Sequence, residues 1–192
     1  MSMKRIVVGI SGASGVCYGV EVLRLLRDCR DIETHLVVSP AALRTLREET
    51  ELDAQGLRAL ATVNHSFRDI GASIASGSFP VEGMIIAPCS VRTLGALANA
   101  LNDNLMVRAA DVCLKERRPV VLMLRETPLH LGHIELMERV TRYGGIIMPP
   151  VPAFYHKPQS LEELVTQSAA RALGLLGVDT GVSRVWTGHS EG

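Results

Sequence analysis

Gly9-Ile10-Ser11-Gly12-Ala13-Ser14-Gly15 follows the apolar run Ile6 to Val8 and precedes a helical pattern that begins near Tyr18. A strand passing through a glycine-rich turn into a helix presents backbone N–H groups at the helix N-terminus, where an anion is stabilised. A phosphate-bearing ligand is the first expectation. The spacing is G-x-x-G-x-x-G, so it is neither the dinucleotide fingerprint G-x-G-x-x-G nor a P-loop, which needs Lys and Ser/Thr after its last glycine. A tight turn without a ligand remains the alternative that this stretch alone leaves open.

Outward from this turn, the chain alternates strand and helix patterns. Lys4 to Ile10 reads as a strand, Gly15 to Arg27 as a helix with Val20, Leu23 and Leu26 on one face, and Glu33 to Val38 as a second strand. Ser39-Pro40 starts the next helix with a capping hydroxyl and a proline at the first helical position. Asp53 to Ala61 is helical, and Asn64 to Pro80, polar and glycine-containing, reads as mostly irregular. Gly83 to Ala87 is a buried strand, after which Pro88-Cys89-Ser90 caps a helix running to about Ala100. A helix over Asn104 to Lys115 and a strand over Pro119 to Leu124 follow. Thr127-Pro128 starts a helix to Arg142, and Gly145 to Met148 is the last strand. Ser160 and Glu163 have capping-box spacing and open a final helix to about Leu176. Near-continuous apolar strands alternating with helices predict a single-domain α/β fold: a Rossmann/flavodoxin-like parallel sheet in a three-layer α/β/α sandwich. Residues 1–177 make that domain, and residues 178–192 form a polar tail that contains Trp186.

Composition narrows the function. The chain has 192 residues, 47% of them apolar, enough for one domain with an ample core. Twenty basic residues balance twenty acidic ones, and no basic stretch is interleaved with aromatics, which argues against nucleic acid. Cys17, Cys29, Cys89 and Cys113 contain no C-x-x-C and read as small buried hydrophobes. No run approaches a membrane span, and Met1 to Arg5 lead into the strand without a signal-peptide core, so a cytoplasmic protein is expected. His130-x-x-His133 lacks a third ligand and reads as structural, and no metal is expected.

In an open parallel sheet the carboxyl ends of all strands share one edge, where ligands bind. Gly12 and Ser14, Ser39, Ser90 to Thr93, Arg125 with Glu126, and Tyr155 each follow a strand and should converge there.

Seven blocks in register carry a resemblance. Gly9 to Gly15, Ala75-Ser76-Gly77-Ser78, Ala87-Pro88-Cys89-Ser90, Arg108-Ala109-Ala110-Asp111-Val112, Leu114-Lys115-Glu116-Arg117-Arg118, Arg125-Glu126-Thr127-Pro128-Leu129 and Pro149 to Tyr155 together resemble the flavin prenyltransferase family, UbiX or Pad1. The resemblance implies transfer of a dimethylallyl group from dimethylallyl monophosphate to reduced FMN, at N5 and then C6. The product, prenylated FMN, serves UbiD-type decarboxylases, as in ubiquinone biosynthesis or aromatic acid decarboxylation.

Carried onto this chain, the family's flavin site uses Gly12, Ala13, Ser14, Ser39, Ser90, Val91, Arg92, Thr93 and Arg125. Its prenyl phosphate site uses Arg108, Lys115, Tyr155 and Arg171, with Trp186 in the tail, and Glu49 and Glu126 match its active-site carboxylates. Ser14, Glu49, Lys115, Glu126 and Tyr155 are the expected catalytic groups. Departures are mild: Pro40 stands where many relatives have Lys, and Val91-Arg92 replaces a commoner Met-Lys or Ile-Lys. The sequence has no D-D-x-x-D to hold magnesium on a diphosphate; Asp28 and Asp31 are the nearest pair. A monophosphate held by cations suits it better.

Each cation also has a plainer reading. Arg108 and Lys115 suit a solvated helix face, Arg125-Glu126 a surface ion pair, and Tyr155 simple packing. Two other functions share the fold. A phosphopantothenoylcysteine-type decarboxylase would need a P-x-M-N-x-x-M-W block and a catalytic His, and neither is found. A flavodoxin-like carrier would not need the Arg108, Lys115, Tyr155 and Arg171 set. The resemblance further implies a homododecamer, with Arg171 and Tyr155 reaching a neighbouring subunit.

Overall fold

The computed structural model describes residues 3–183. Six parallel strands form one sheet: β1 (Lys4–Ile10), β2 (Ile32–Val38), β3 (Val63–His65), β4 (Gly83–Cys89), β5 (Val120–Leu124) and β6 (Ile146–Ile147), in the order β3-β2-β1-β4-β5-β6. This is the doubly wound dinucleotide-fold order, and it reverses between β1 and β4. The crevice beyond the carboxyl ends of these two strands is therefore where the topology favours a ligand.

Among the described residues seven helices cover the sheet: α1 (Val16–Arg27), α2 (Pro40–Glu49), α3 (Ala54–Arg58), α4 (Val91–Ala98), α5 (Leu105–Lys115), α6 (Leu131–Arg142) and α7 (Leu161–Gly174). Strand periodicity sorts the core into two halves, because alternate side chains leave opposite faces of a sheet. Ile6, Val8 and Ile10 of β1 pack with Leu23 and Leu26 of α1 and Ala169 and Leu173 of α7. Val7, between them, joins Met84, Ile86 and Leu122 under Leu94 of α4 and Met106 and Ala110 of α5. All seven residues of β4 are buried, as expected for a central strand covered on both sides. Full burial of a Leu such as Leu23 or Leu173 contributes about 1.5–3 kcal/mol. Gly19 lets α1 lie close on the sheet, since a Cβ there would collide with the Ala87 carbonyl.

The elements depart from expectation in several places, among them the third helix, which spans only Ala54–Arg58, and the last strand, which is only Ile146–Ile147. Val63–His65 is a short edge strand and Ser73–Ala75 a 3-10 turn within the passage read as irregular. The fourth helix stops at Ala98 and the last at Gly174, each two residues early. The sixth helix does not begin at Thr127-Pro128: α6 starts at Leu131, with the ring of His130 as its cap, accepting from Gly132 N–H at 3.1 Å. Finally, Gly15 is not the first residue of α1 but its cap, in the left-handed region at φ 92°. All four cysteines are free thiols; Cys89 and Cys113 are buried, which pushes them up to about 12 and about 11, whereas Cys17 and Cys29 are only half-buried, contrary to expectation.

Candidate active site

A cavity of about 480 Å³ lies at the switch point. Gly12, Ser39, Ser90, Val91, Arg92, Thr93 and Glu126 line it, together with Phe67 and Asn104. Three helices begin at its wall. Ser39 caps α2 by accepting from Ala42 N–H at 3.1 Å, Ser90 caps α4 by accepting from Thr93 N–H at 3.3 Å, and Asn104 caps α5 by accepting from Val107 N–H at 3.1 Å. Each cap satisfies one of the four amides that a helix N-terminus leaves without an internal partner, so further donors remain at each end. Each end also carries roughly half a positive charge. Three such ends around one cavity give it a positive lining suited to an anion. Gly12 is required for this wall, because a Cβ there would run into Ala41 at the start of α2.

The helix on which the sequence reading first placed the anion, α1, is arranged differently. Glu49 Oε2 accepts from Gly15 N–H at 2.8 Å and from Val16 N–H at 3.0 Å. A carboxylate of the chain itself occupies the position that a phosphate would take. Ser14 is exposed in the loop and Ala13 half-buried, its N–H bonded to the Ser11 carbonyl at 2.9 Å; neither they nor the exposed Arg125 line the cavity.

Ser11, which sequence reading passed over, fixes the floor. It is 1% exposed; its hydroxyl donates to the Pro88 carbonyl at 2.9 Å and accepts from Ser90 N–H at 2.7 Å. Its own N–H bonds the same carbonyl at 3.2 Å. Ser11 thus ties the end of β1 to the residue that caps α4. Its apolar neighbours and polar side chain were the only sequence signal.

At the mouth, Arg92 pairs with Asp103 at 3.5 Å, and Glu126 accepts from Thr127 N–H at 2.9 Å. Ser90 and Thr93 hydroxyls lie 3.1 Å apart.

Tyr155 and Arg171 meet in a different, smaller cavity of about 180 Å³, with Met148, His156 and Ser168. The other two members of the expected phosphate set do not join them within one protomer. Arg108 on α5 is held by Asp111 at 3.1 Å and by the Ala75 carbonyl at 3.3 Å. Lys115, paired with Glu116, lies two turns beyond Val107 on the same helix, roughly 12 Å further from the switch-point cavity. Trp186 lies outside the described residues. Among the described residues no group of three or more His, Cys, Asp or Glu side chains is placed to hold a metal ion, and no helix is long and apolar enough to cross a membrane.

The flavoprotein family profile matches residues 1–170. Flavin prenyltransferase UbiX of Escherichia coli strain K12 is 58% identical over 171 residues, covering 89% of this chain and 90% of the relative. The chain belongs to the UbiX flavin prenyltransferase family. The Thauera aromatica member is 53% identical over 187 residues, covering 97% and 96% of the two chains. Among solved structures of the family, AnUbiX (PadA1), in complex with FMN and dimethylallyl pyrophosphate, superposes with a TM-score of 0.94 at 47% identity, covering 97% of this chain and 99% of that one. A dodecameric FMN-dependent UbiX-like protein from Escherichia coli O157:H7 gives 0.93 at 42% identity, covering 96% and 100%.

Proposed function

We propose that the chain transfers a dimethylallyl group from dimethylallyl monophosphate to reduced FMN. The observation that carries this reading is the convergence of three helix N-termini and their capping side chains on one cavity at the sheet's switch point. Its volume, about 480 Å³, falls within the range of small-molecule sites. The donor set suits a phosphorylated, hydroxyl-rich ligand such as FMN. Ser39, Ser90, Val91, Arg92 and Thr93 hold it at the helix ends, with Gly12, Ala13, Ser14 and Arg125 at the rim. Bound reduced FMN supplies the nucleophilic atoms that accept the prenyl group.

The chain's own residues then have separate tasks. Tyr155 and Arg171 grip the donor's phosphate, with Arg108 and Lys115 of a second copy completing the set of cations. Cations around a leaving phosphate stabilise charge as the carbon–oxygen bond breaks. Glu126, beside the flavin cavity, moves protons that accompany ring closure, while Ser14 steadies the flavin and Glu49 holds the α1 end that carries the glycine loop. The tail, with Trp186, excludes water from the reacting centre.

Exposed Leu129, Leu131, Ile134, Val151 and Phe154 give the chain apolar surface to cover, and a homododecamer is the assembly proposed. The cytoplasm is the proposed compartment, and a UbiD-type decarboxylase the recipient of the product. Incubation with reduced FMN and dimethylallyl phosphate, followed by mass spectrometry of the released flavin, tests the reading: prenylated FMN is expected, and bound flavin of unchanged mass would overturn it.

A further inference from the structure

A second cavity, of about 470 Å³, opens beside the first and shares Pro40 and Phe67 with it. Leu36 and Leu43 give it an apolar side; Arg58, His65 and Arg68 give it a basic one, and no carboxylate lines it. Among the described residues neither guanidinium has an ion-pair partner.

The third basic group is oriented from inside the protein. Arg5 Nε donates to Glu33 Oε1 at 2.8 Å, and His35 Nε2 lies 2.8 Å from the same oxygen. An ionised carboxylate only accepts, so His35 carries a proton on Nε2, and in the neutral ring Nδ1 is then an acceptor. His65 Nε2, 2.9 Å from that Nδ1, is the donor in this tautomer. His35 is 3% exposed, and Phe79 meets it edge-on with ring centroids 5.3 Å apart. This buried chain fixes the His65 ring and leaves its Nδ1 lone pair as the nitrogen available to a ligand. Burial and the neighbouring His35 hold His65 below its ordinary 6.5, against an opposing pull from Asp69.

We infer that this groove is a second ligand site, adjoining the flavin cavity, for a phosphomonoester carried on a flat apolar body, the chemistry of a nucleoside monophosphate. Two guanidiniums provide forked donors that match phosphate oxygens. Phe67 offers a face on which a base can stack, and Leu36 and Leu43 exclude water from its edge. His65, neutral when the groove is empty, takes up a proton when a dianion arrives. The groups that bear on that step are Glu33 and His35 on β2, Arg5 through Glu33, Asp69 in its own loop, and Arg58 and Arg68 across the groove. Binding of the dianion near neutral pH is therefore accompanied by uptake of a proton from solvent.

Calorimetric titration of the FMN-saturated protein with AMP, adenosine and inorganic phosphate tests the site. AMP is expected to bind saturably, and adenosine or phosphate alone at least tenfold more weakly. Arg58→Ala and Arg68→Ala should each weaken AMP binding tenfold or more with FMN affinity unchanged, whereas Arg30→Ala, on a distant loop, should leave both unchanged. His65→Gln should abolish the proton uptake, read from the dependence of the binding enthalpy on the buffer's ionisation heat; uptake unchanged in this variant would overturn the role given to His65. No saturable AMP binding, binding that survives loss of both arginines, or binding seen only when FMN is absent would each overturn the inference. The site stands independently of the flavin reading: were wild-type protein to bind no FMN, that reading would fall, and AMP titration of the flavin-free chain would still decide the groove.

Discussion

The switch-point cavity and the Tyr155–Arg171 cavity are built on different principles. The first is lined within one chain by the backbone ends of α2, α4 and α5, which supply its charge and are placed by strand order. The second depends on side chains, and two of its four expected members, Arg108 and Lys115, lie on α5 away from it. Binding of a phosphate by helix termini needs only the fold, whereas the proposed gathering of cations on a leaving group draws on a second copy of the chain. Flavin affinity and prenyl transfer should therefore separate under mutation.

The largest expected effect is on the second cavity. Arg171→Ala and Lys115→Ala should each reduce prenyl transfer by roughly 10²–10³-fold, the usual consequence of losing one preorganised group that stabilises transition-state charge. FMN should remain bound in both. Co-expressing the two inactive variants sharpens the comparison. Mixed assemblies should recover part of the activity, because some interfaces then carry an intact Arg171 opposite an intact Lys115. Flavin loss in either variant, or no recovery on mixing, would merge the two regions into one.

Ser11→Ala should act on the first cavity with the opposite selectivity. It leaves the half-buried Ser90 N–H without its 2.7 Å acceptor, a change that costs about 1 kcal/mol. Fluorescence titration should show FMN affinity falling about tenfold or more, and prenyl transfer at saturating flavin should recover most of its rate. Equal losses at all flavin concentrations would show that Ser11 supports the fold rather than the flavin site.

The sequence carried the caps of the first cavity plainly. Ser39-Pro40 and Ser90 are hydroxyls placed before apolar periodicity, and both are helix caps in the structure. What it did not carry depends on neighbours distant in the chain. Val63–His65 is three residues long, too short for an alternating pattern to register, and pairs with β2 at the sheet edge. Thr127-Pro128 has the composition of a helix start, yet the cap is three residues on, where His130 reaches Gly132. Ser11 looks like one more loop hydroxyl until β4 is laid beside β1. Nor does any local feature of Arg108 or Lys115 tell a surface charge from half of a shared site.

The smallest effect concerns the helix that the glycine-rich turn seemed to prepare for an anion. Glu49 caps α1 from 33 and 34 residues away, bonding the amides of Val16 and Gly15. Glu49→Gln keeps an acceptor oxygen but removes the charge that complements the helix end, so the expected loss is about 0.3–1 kcal/mol at low salt. Chemical denaturation should show this loss shrinking as salt is raised, because the pair is exposed. Sulfate should restore little of it in the wild type, where the carboxylate already fills the place, and more in Glu49→Ala, where the two amides are freed. If sulfate stabilises both proteins alike, α1 would have to be counted with α2, α4 and α5 as an open anion-binding terminus. The distinction drawn between an internally neutralised helix end and three ligand-facing ones would then be lost.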